Sequence, residues 1–127
     1  MASGAMGEDG VHPVAMDIHW YHFAFWAHKW VPLHWYYVLV VDEHAHLLRS
    51  LRRWQGVVVG EWNGIIASAV LDKYPTARHA AIVQEHIERQ LVAYEQADAW
   101  FYWNYKTERR GVWHFRSLVE DGVIKLG

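Results

Sequence analysis

The chain contains no cysteine. Disulfides, thiolate catalysis and cysteine-held metal sites are therefore excluded, and cysteine usage leaves the compartment open. It also lacks any apolar run near the roughly 18 residues that a membrane-spanning helix requires. A basic excess is missing as well. Lys and Arg number 12 against 14 Asp and Glu, for a formal net charge of −2, and the cations are dispersed apart from Arg49, Arg52 and Arg53. A nucleic-acid partner is not expected from such a balance. No repeat or low-complexity tract is visible. Residues 1–12 are mostly small or acidic and carry neither the basic stretch nor the apolar stretch of a secretory signal. They read as a flexible leader ahead of one folded unit, residues 13–127.

Rings are what the chain has in abundance: 9 Trp, 7 Tyr and 4 Phe among 127 residues. They can fill a core, and they can also serve as stacking surfaces for carbohydrate or for partners. The 10 His suggest two pairs of metal ligands, His19 with His22 and His44 with His46. Neither pair has a third ligand at matching spacing, and two residues along a helix are turned about 200° apart. No metal and no cofactor is expected.

The pattern alternates strand and helix. Val14 to His19 reads as a strand. Pro32 suits the first turn of a helix, and bulky side chains then fall at Leu33, Tyr37, Val40, His44, Leu47, Leu51 and Trp54, a spacing of threes and fours that marks one helical face. Taken alone, Trp35 to Val41 also fits a buried strand. The Arg49–Arg53 cluster reads as a solvated helix end, where cations suit the dipole, and Gly56 can stop the helix. Val57 to Gly60 is β-branched and leads directly into Glu61-Trp62. After a loop or short helical turn, Pro75 and Thr76 open the clearest helix, about Ala77 to Ala97, with Thr76 as N-cap and Val83, Ile87, Leu91 and Tyr94 as its buried stripe. Glu85 and Arg89 can pair on its wet side. Trp100 to Tyr105 reads as a third strand, and Asp121-Gly122 as a turn. Strand, helix, strand, helix, strand predicts an α/β fold of parallel strands joined by crossover helices.

A carboxylate where a buried strand ends is held rigidly at the open mouth of a sheet, which makes Glu61 the candidate reactive group. An ordinary strand-end acid would look the same. Core packing accounts for Trp100, Tyr102 and Trp103 as readily as sugar stacking does.

Three segments, in order, carry a resemblance. Val14-Ala15-Met16-Asp17-Ile18-His19-Trp20-Tyr21 resembles a sixth barrel strand with its His-x-Tyr. Val59-Gly60-Glu61-Trp62-Asn63 resembles a seventh strand whose Gly-Glu-Trp-Ser carries a nucleophile. His86 to Glu95, followed by Trp100-Phe101-Tyr102-Trp103-Asn104-Tyr105-Lys106-Thr107-Glu108, resembles a last helix and an eighth strand with Phe-Trp-x-Trp-Lys-Thr-Glu. Together they resemble the C-terminal part of retaining β-glycosidases of glycoside hydrolase family 5, the exo-1,3-β-glucanases in particular. The resemblance implies a partial (β/α)8 TIM barrel made of its last three β/α units. It implies Glu61 as catalytic nucleophile, His19 and Tyr21 lining the sugar site with the tyrosine hydrogen-bonded to the nucleophile, and Trp103 as the platform at the cleavage point; Trp62 is a further candidate substrate-binding ring. Family members are often secreted.

Asn63, Tyr105 and Ile18 stand where the family has Ser, Trp and His, and the segment between Glu61 and the last helix is shorter. The family's general acid/base lies in an Asn-Glu pair, and this chain has no Asn-Glu dipeptide. Glu108 and Asp17 are the other acids near strand ends, and neither is expected across a barrel from Glu61. The chain by itself is therefore expected to be inactive. The enzyme reading, hydrolysis of a β-glucan or β-glucoside, needs a complementary segment. The alternative is a non-catalytic assembly subunit, and a third reading is a glucan-binding module using Trp103, Trp62 and Tyr21. Three barrel strands leave two open edges, so a protein partner or self-association is expected there.

Overall fold

The computed structural model describes residues 14–22 and 30–125; the leader inferred at residues 1–12 lies outside them. Strands β1 (Ala15–Trp20), β2 (Gly56–Trp62) and β3 (Ala99–Tyr102) form a parallel sheet with β2 in the centre. Between β1 and β2 come α1 (Leu33–Tyr36), a π-helical turn (Tyr37–Val41) and α2 (Asp42–Leu51). Between β2 and β3 come α3 (Ser68–Leu71), a 3₁₀ turn (Thr76–Arg78) and α4 (His79–Tyr94). The chain ends in α5 (Phe115–Glu120), stopped at Gly122, whose φ of 72° is the left-handed conformation glycine adopts most readily. The result is a mixed α/β fold.

The π-helical turn shifts the first helical face. It inserts an extra residue into the turn, so side chains beyond it are displaced by one position from a regular three-and-four spacing. Leu33 and Tyr37 are buried as expected, but Val41 and Leu48 occupy the core in place of Val40 and Leu47. The helix ends at Leu51, which leaves Trp54 outside the stripe and 85% exposed. Thr76 makes no side-chain cap and instead opens the 3₁₀ turn before α4. Strand β3 stops at Tyr102, short of the expected Tyr105.

Arg52, expected to be solvated, ties the helix end to the sheet. Its guanidinium lies 2.8 Å from Asp98 Oδ1 and donates to the Gln96 carbonyl at 3.2 Å. The other Asp98 oxygen accepts from the Val57 N–H at 2.8 Å, while the Asp98 N–H donates to the Val57 carbonyl at 2.8 Å. One acid thus joins helix, central strand and edge strand at the end of the sheet where β2 and β3 begin.

Both crossovers cover the same face. Ile18, Trp20, Val57, Val59, Trp62, Trp100 and Tyr102 point into them. Trp62 is wholly buried, with ring centroids 5.1 Å from Tyr94, 5.6 Å from Trp100 and 4.7 Å from Tyr102. Trp20 stacks on His44 at 3.7 Å. The buried side of α4 is more polar than the expected stripe. Ile87 and Tyr94 are in it, yet Ile82, His86, Gln90 and Ala93 join them, while Val83 and Leu91 are only partly covered.

Gln90 and Tyr94 belong to a hydrogen-bonded chain whose direction can be worked out. The Gln90 amide nitrogen faces two carbonyls, Asn63 O at 3.1 Å and His86 O at 3.3 Å, which can only accept. Gln90 Oε1 must therefore accept the Tyr94 hydroxyl proton at 3.2 Å. Having spent its proton, Tyr94 Oη accepts from His22 Nε2–H at 3.0 Å. In neutral His22 the other nitrogen is then bare and accepts from Tyr36 Oη–H at 2.5 Å. Burial holds the Tyr36 and Tyr94 phenols well above their ordinary range, so both remain protonated donors. With these pairings, Tyr36, His22, Tyr94 and Gln90 are buried with hydrogen-bond partners.

His44 lies within 5.3 Å of His22, ring to ring, and burial lowers its imidazole from 6.5 to about 4. The folded state therefore resists a proton that the unfolded chain accepts, and stability should fall as pH drops from 6.5 toward 4. The His44 share of that loss should approach ~3 kcal/mol. Urea unfolding at pH 7 and pH 4.5 checks this, and His44→Phe, which keeps the stack on Trp20, should show a shallower decline.

Candidate active site

Strict alternation along β2 would place Glu61 on the same face as Val57 and Val59, beneath the helices. It does not lie there, because β2 carries one extra residue. On the β1 side, Ile18 pairs with Val59 and His19 with Glu61, so Gly60 is passed over. On the β3 side, Trp100 pairs with Val59 and Tyr102 with Trp62, two steps against three. This bulge reverses the parity of the strand. Glu61 turns to the face left open by the helices, and Trp62 turns into the core.

The open face collects Asp17, His19 and Tyr21 from β1 and its end, Glu61 from β2, and Phe101 from β3. Trp103 follows directly after β3, its N–H donating to the Trp62 carbonyl at 2.8 Å, and its ring is 47% exposed; the peptide bond after it is cis. Glu61, Tyr21 and Trp103 all stand at the carboxyl ends of their strands, where parallel α/β sheets place their ligand sites.

Tyr21 Oη donates to Glu61 Oε2 at 2.7 Å. His19 Nδ1 approaches the same oxygen at 3.6 Å, and His19 Nε2 meets Asp17 Oδ2 at 3.1 Å. Partial burial, followed by the bond to Glu61 and its charge, holds the Tyr21 phenol above its ordinary range. Tyr21 is thus a fixed donor. Glu61 has one oxygen engaged by Tyr21, and its side chain is 28% exposed.

Of the residues singled out in the sequence, the fold brings Glu61, Tyr21 and His19 into one cluster and sets Trp103 at the neighbouring strand end. Trp62, expected to contact sugar, lies instead on the opposite face with no exposed surface. The bulge is the reason. Asp17 is a member that sequence reasoning set aside. Period-two spacing with His19 and Tyr21 was the available signal for it. Glu108 sits in the exposed turn beyond β3.

Gly60 gives Asp17 its place. A Cβ built on Gly60 would come within 2.0 Å of Asp17 Oδ1, so the carboxylate lies directly over the bulge. Gly64, three residues after Glu61, is confined from the other side, where a Cβ would meet Ile87 Cγ1 at 2.5 Å.

No family model matches the chain. Among curated proteins, 42 residues (33% of the chain) are 45% identical to a glucan 1,3-beta-glucosidase of Blumeria graminis, covering 10% of that protein. A stretch of 41 residues (32% of the chain) is 48% identical to a glucan 1,3-beta-glucosidase of Kluyveromyces lactis, again covering 10% of it. Over 58 residues (46% of the chain) the identity to the probable glucan 1,3-beta-glucosidase D of Aspergillus fumigatus is 34%, covering 7% of that protein. The chain is related to these glucosidases over a third to nearly half of its length, and the matches span about a tenth or less of theirs.

The two glycines should respond differently to alanine. In Gly60→Ala the methyl displaces an exposed carboxylate, which should change stability by no more than about 1 kcal/mol while separating Asp17 from His19. In Gly64→Ala it meets a buried isoleucine, for an expected loss of about 1–3 kcal/mol. Urea unfolding compares the two, and nuclear Overhauser contacts between Asp17 and the His19 ring report on the first.

Proposed function

We propose that the chain forms the C-terminal wall of a retaining β-glucan or β-glucoside hydrolase site, with Glu61 as nucleophile. The observation that carries this reading is the carboxylate of Glu61 at a parallel strand end, held by the Tyr21 hydroxyl at 2.7 Å. Its neighbours His19 and Trp103 and the relation to glucan 1,3-beta-glucosidases support it. On this reading the three β/α units are the last three of a (β/α)8 barrel of the glycoside hydrolase family 5 type, and the open face is the barrel's interior.

Glu61 attacks the anomeric carbon while the bond to the leaving oxygen breaks, forming a glycosyl ester that water later hydrolyses. Tyr21 keeps one carboxylate oxygen engaged and leaves the other aimed at the sugar. His19, held by Asp17, borders the pair, and the Trp103 ring offers a stacking surface to the apolar face of a pyranose. The leaving oxygen requires a proton from a second carboxyl group about 5–5.5 Å from the first. Asp17 stands on the same wall as Glu61, so that acid comes from a complementary segment, either elsewhere in a longer polypeptide or in another chain. The substrate class is a β-1,3-glucan or a β-glucoside.

A second reading, a non-catalytic assembly subunit descended from such a barrel, draws on the rings and edges left uncovered. Phe101 is 59% exposed in the middle of edge strand β3.

The two readings separate on a substrate that needs no acid. 2,4-Dinitrophenolate departs without protonation, so 2,4-dinitrophenyl β-glucoside bypasses the missing group. The chain should release dinitrophenolate at least about tenfold faster than Glu61→Gln, whereas an alkyl β-glucoside should remain uncleaved by either, for want of the roughly 100- to 10,000-fold that a general acid supplies. Equal release by the two proteins would exclude Glu61 as nucleophile and favour the assembly subunit.

A further inference from the structure

The segments that follow Glu61 and Trp103 are joined by one hydroxyl. Tyr102 is buried in β3, its ring 4.7 Å from Trp62 and 5.5 Å from Phe115. Its Oη accepts the Gly64 N–H at 2.9 Å and donates its own proton to the Val112 carbonyl in a short hydrogen bond. Gly64 lies three residues after Glu61, and Val112 lies in the turn after β3 that returns to pair with Asn104, next to Trp103. That return is itself bonded, Asn104 N–H to the Trp113 carbonyl at 3.3 Å and Phe115 N–H to the Asn104 carbonyl at 3.0 Å. Burial holds the Tyr102 phenol above its ordinary range, so it stays a donor. Ring packing alone would be served by phenylalanine, and the hydroxyl adds the two hydrogen bonds.

We propose that Tyr102 is a positioning residue: through Gly64 and Val112 its hydroxyl sets the distance between the Glu61 and Trp103 walls of the site. This rests on the reading of Glu61 and Trp103 as the nucleophile and stacking ring, but the geometric link can be tested without it. With phenylalanine at 102, the buried Gly64 N–H and the Val112 carbonyl both lose their partner. The backbone bond from the Trp103 N–H to the Trp62 carbonyl remains, but the loops beyond it lose the two-sided hydrogen bond that joins Gly64 to Val112.

The test uses the full chain and nuclear magnetic resonance. In Tyr102→Phe the Gly64 amide should exchange about tenfold faster. The Trp103 indole N–H and the Tyr21 phenol carbon, reporting on the two walls, should both shift. Phe115→Leu removes a ring contact and keeps the hydroxyl, so it should leave these reporters in place. A folded Tyr102→Phe with unchanged Trp103 and Tyr21 signals overturns the proposal, as does a Phe115→Leu that moves them equally. If Tyr102→Phe does not fold, 3-fluorotyrosine incorporated at 102 preserves the ring and alters the donor strength of the hydroxyl. Shifts at Gly64 and Trp103 then support the link, and their absence overturns it. Titration with a β-1,3-gluco-oligosaccharide forms a separate arm. A wild-type chain whose Trp103 signal ignores the sugar counts against the glucoside reading alone.

Discussion

A single extra residue in the central strand decides what this chain can do. Before Gly60, β2 obeys the two-residue period, with Val57 and Val59 under the helices. After it the parity is inverted, so the largest ring of the strand enters the core and the carboxylate emerges on the open face. Burying an ionised carboxylate among Val57, Val59 and Tyr94 would be strongly unfavourable, and leaving the Trp62 ring in water would forgo the largest apolar contact in the sheet. The bulge resolves both conflicts at once. Without a side chain at Gly60, the Asp17 carboxylate can lie across it and reach His19, which links the irregularity to the Asp17, His19, Glu61 and Tyr21 cluster.

The opposite face is shaped by a different constraint. Trp20, His22, Tyr36, His44, His86 and Tyr94 fill the space between sheet and helices with rings that carry nitrogen or oxygen, and each such atom needs a partner when buried. The ordered run from Tyr36 through His22 and Tyr94 to Gln90 and the carbonyls of Asn63 and His86 supplies partners for those four side chains in one consistent direction. Asn63 follows Glu61 and Trp62 directly, so this network also steadies the loop that leaves the site. Packing beneath the sheet and geometry above it meet in those three residues.

Much of the architecture was legible in the chain. Val57 to Gly60 is a β-branched run that no helix would favour, and Pro32 and Pro75 each precede a helical segment. The i,i+4 pair of Glu85 and Arg89 forms as its spacing implies, at 3.1 Å. The failures have local physical causes. A regular helical period cannot anticipate a π-helical turn, so Val40 and Leu47 were read in place of Val41 and Leu48. Hydropathy ranks Val83 and Leu91 above His86 and Gln90, because it scores side chains in isolation and cannot see the carbonyls and the hydroxyl that meet Gln90. Arg52 looked like a solvated cation for the same reason: its partner Asp98 is 46 positions away in the chain.

By itself the sequence determined the order of the three strands with helical segments between them, the absence of thiol chemistry, and a glutamate at the end of a buried strand. Those properties depend on neighbours a few residues apart, which the chain writes out directly. Tertiary structure alone decided which face that glutamate took and that Trp62 would leave the site for the core. Each of these depends on how β2 aligns with two strands some 40 residues away on either side, and a shift of one position in that alignment exchanges the two faces of the sheet.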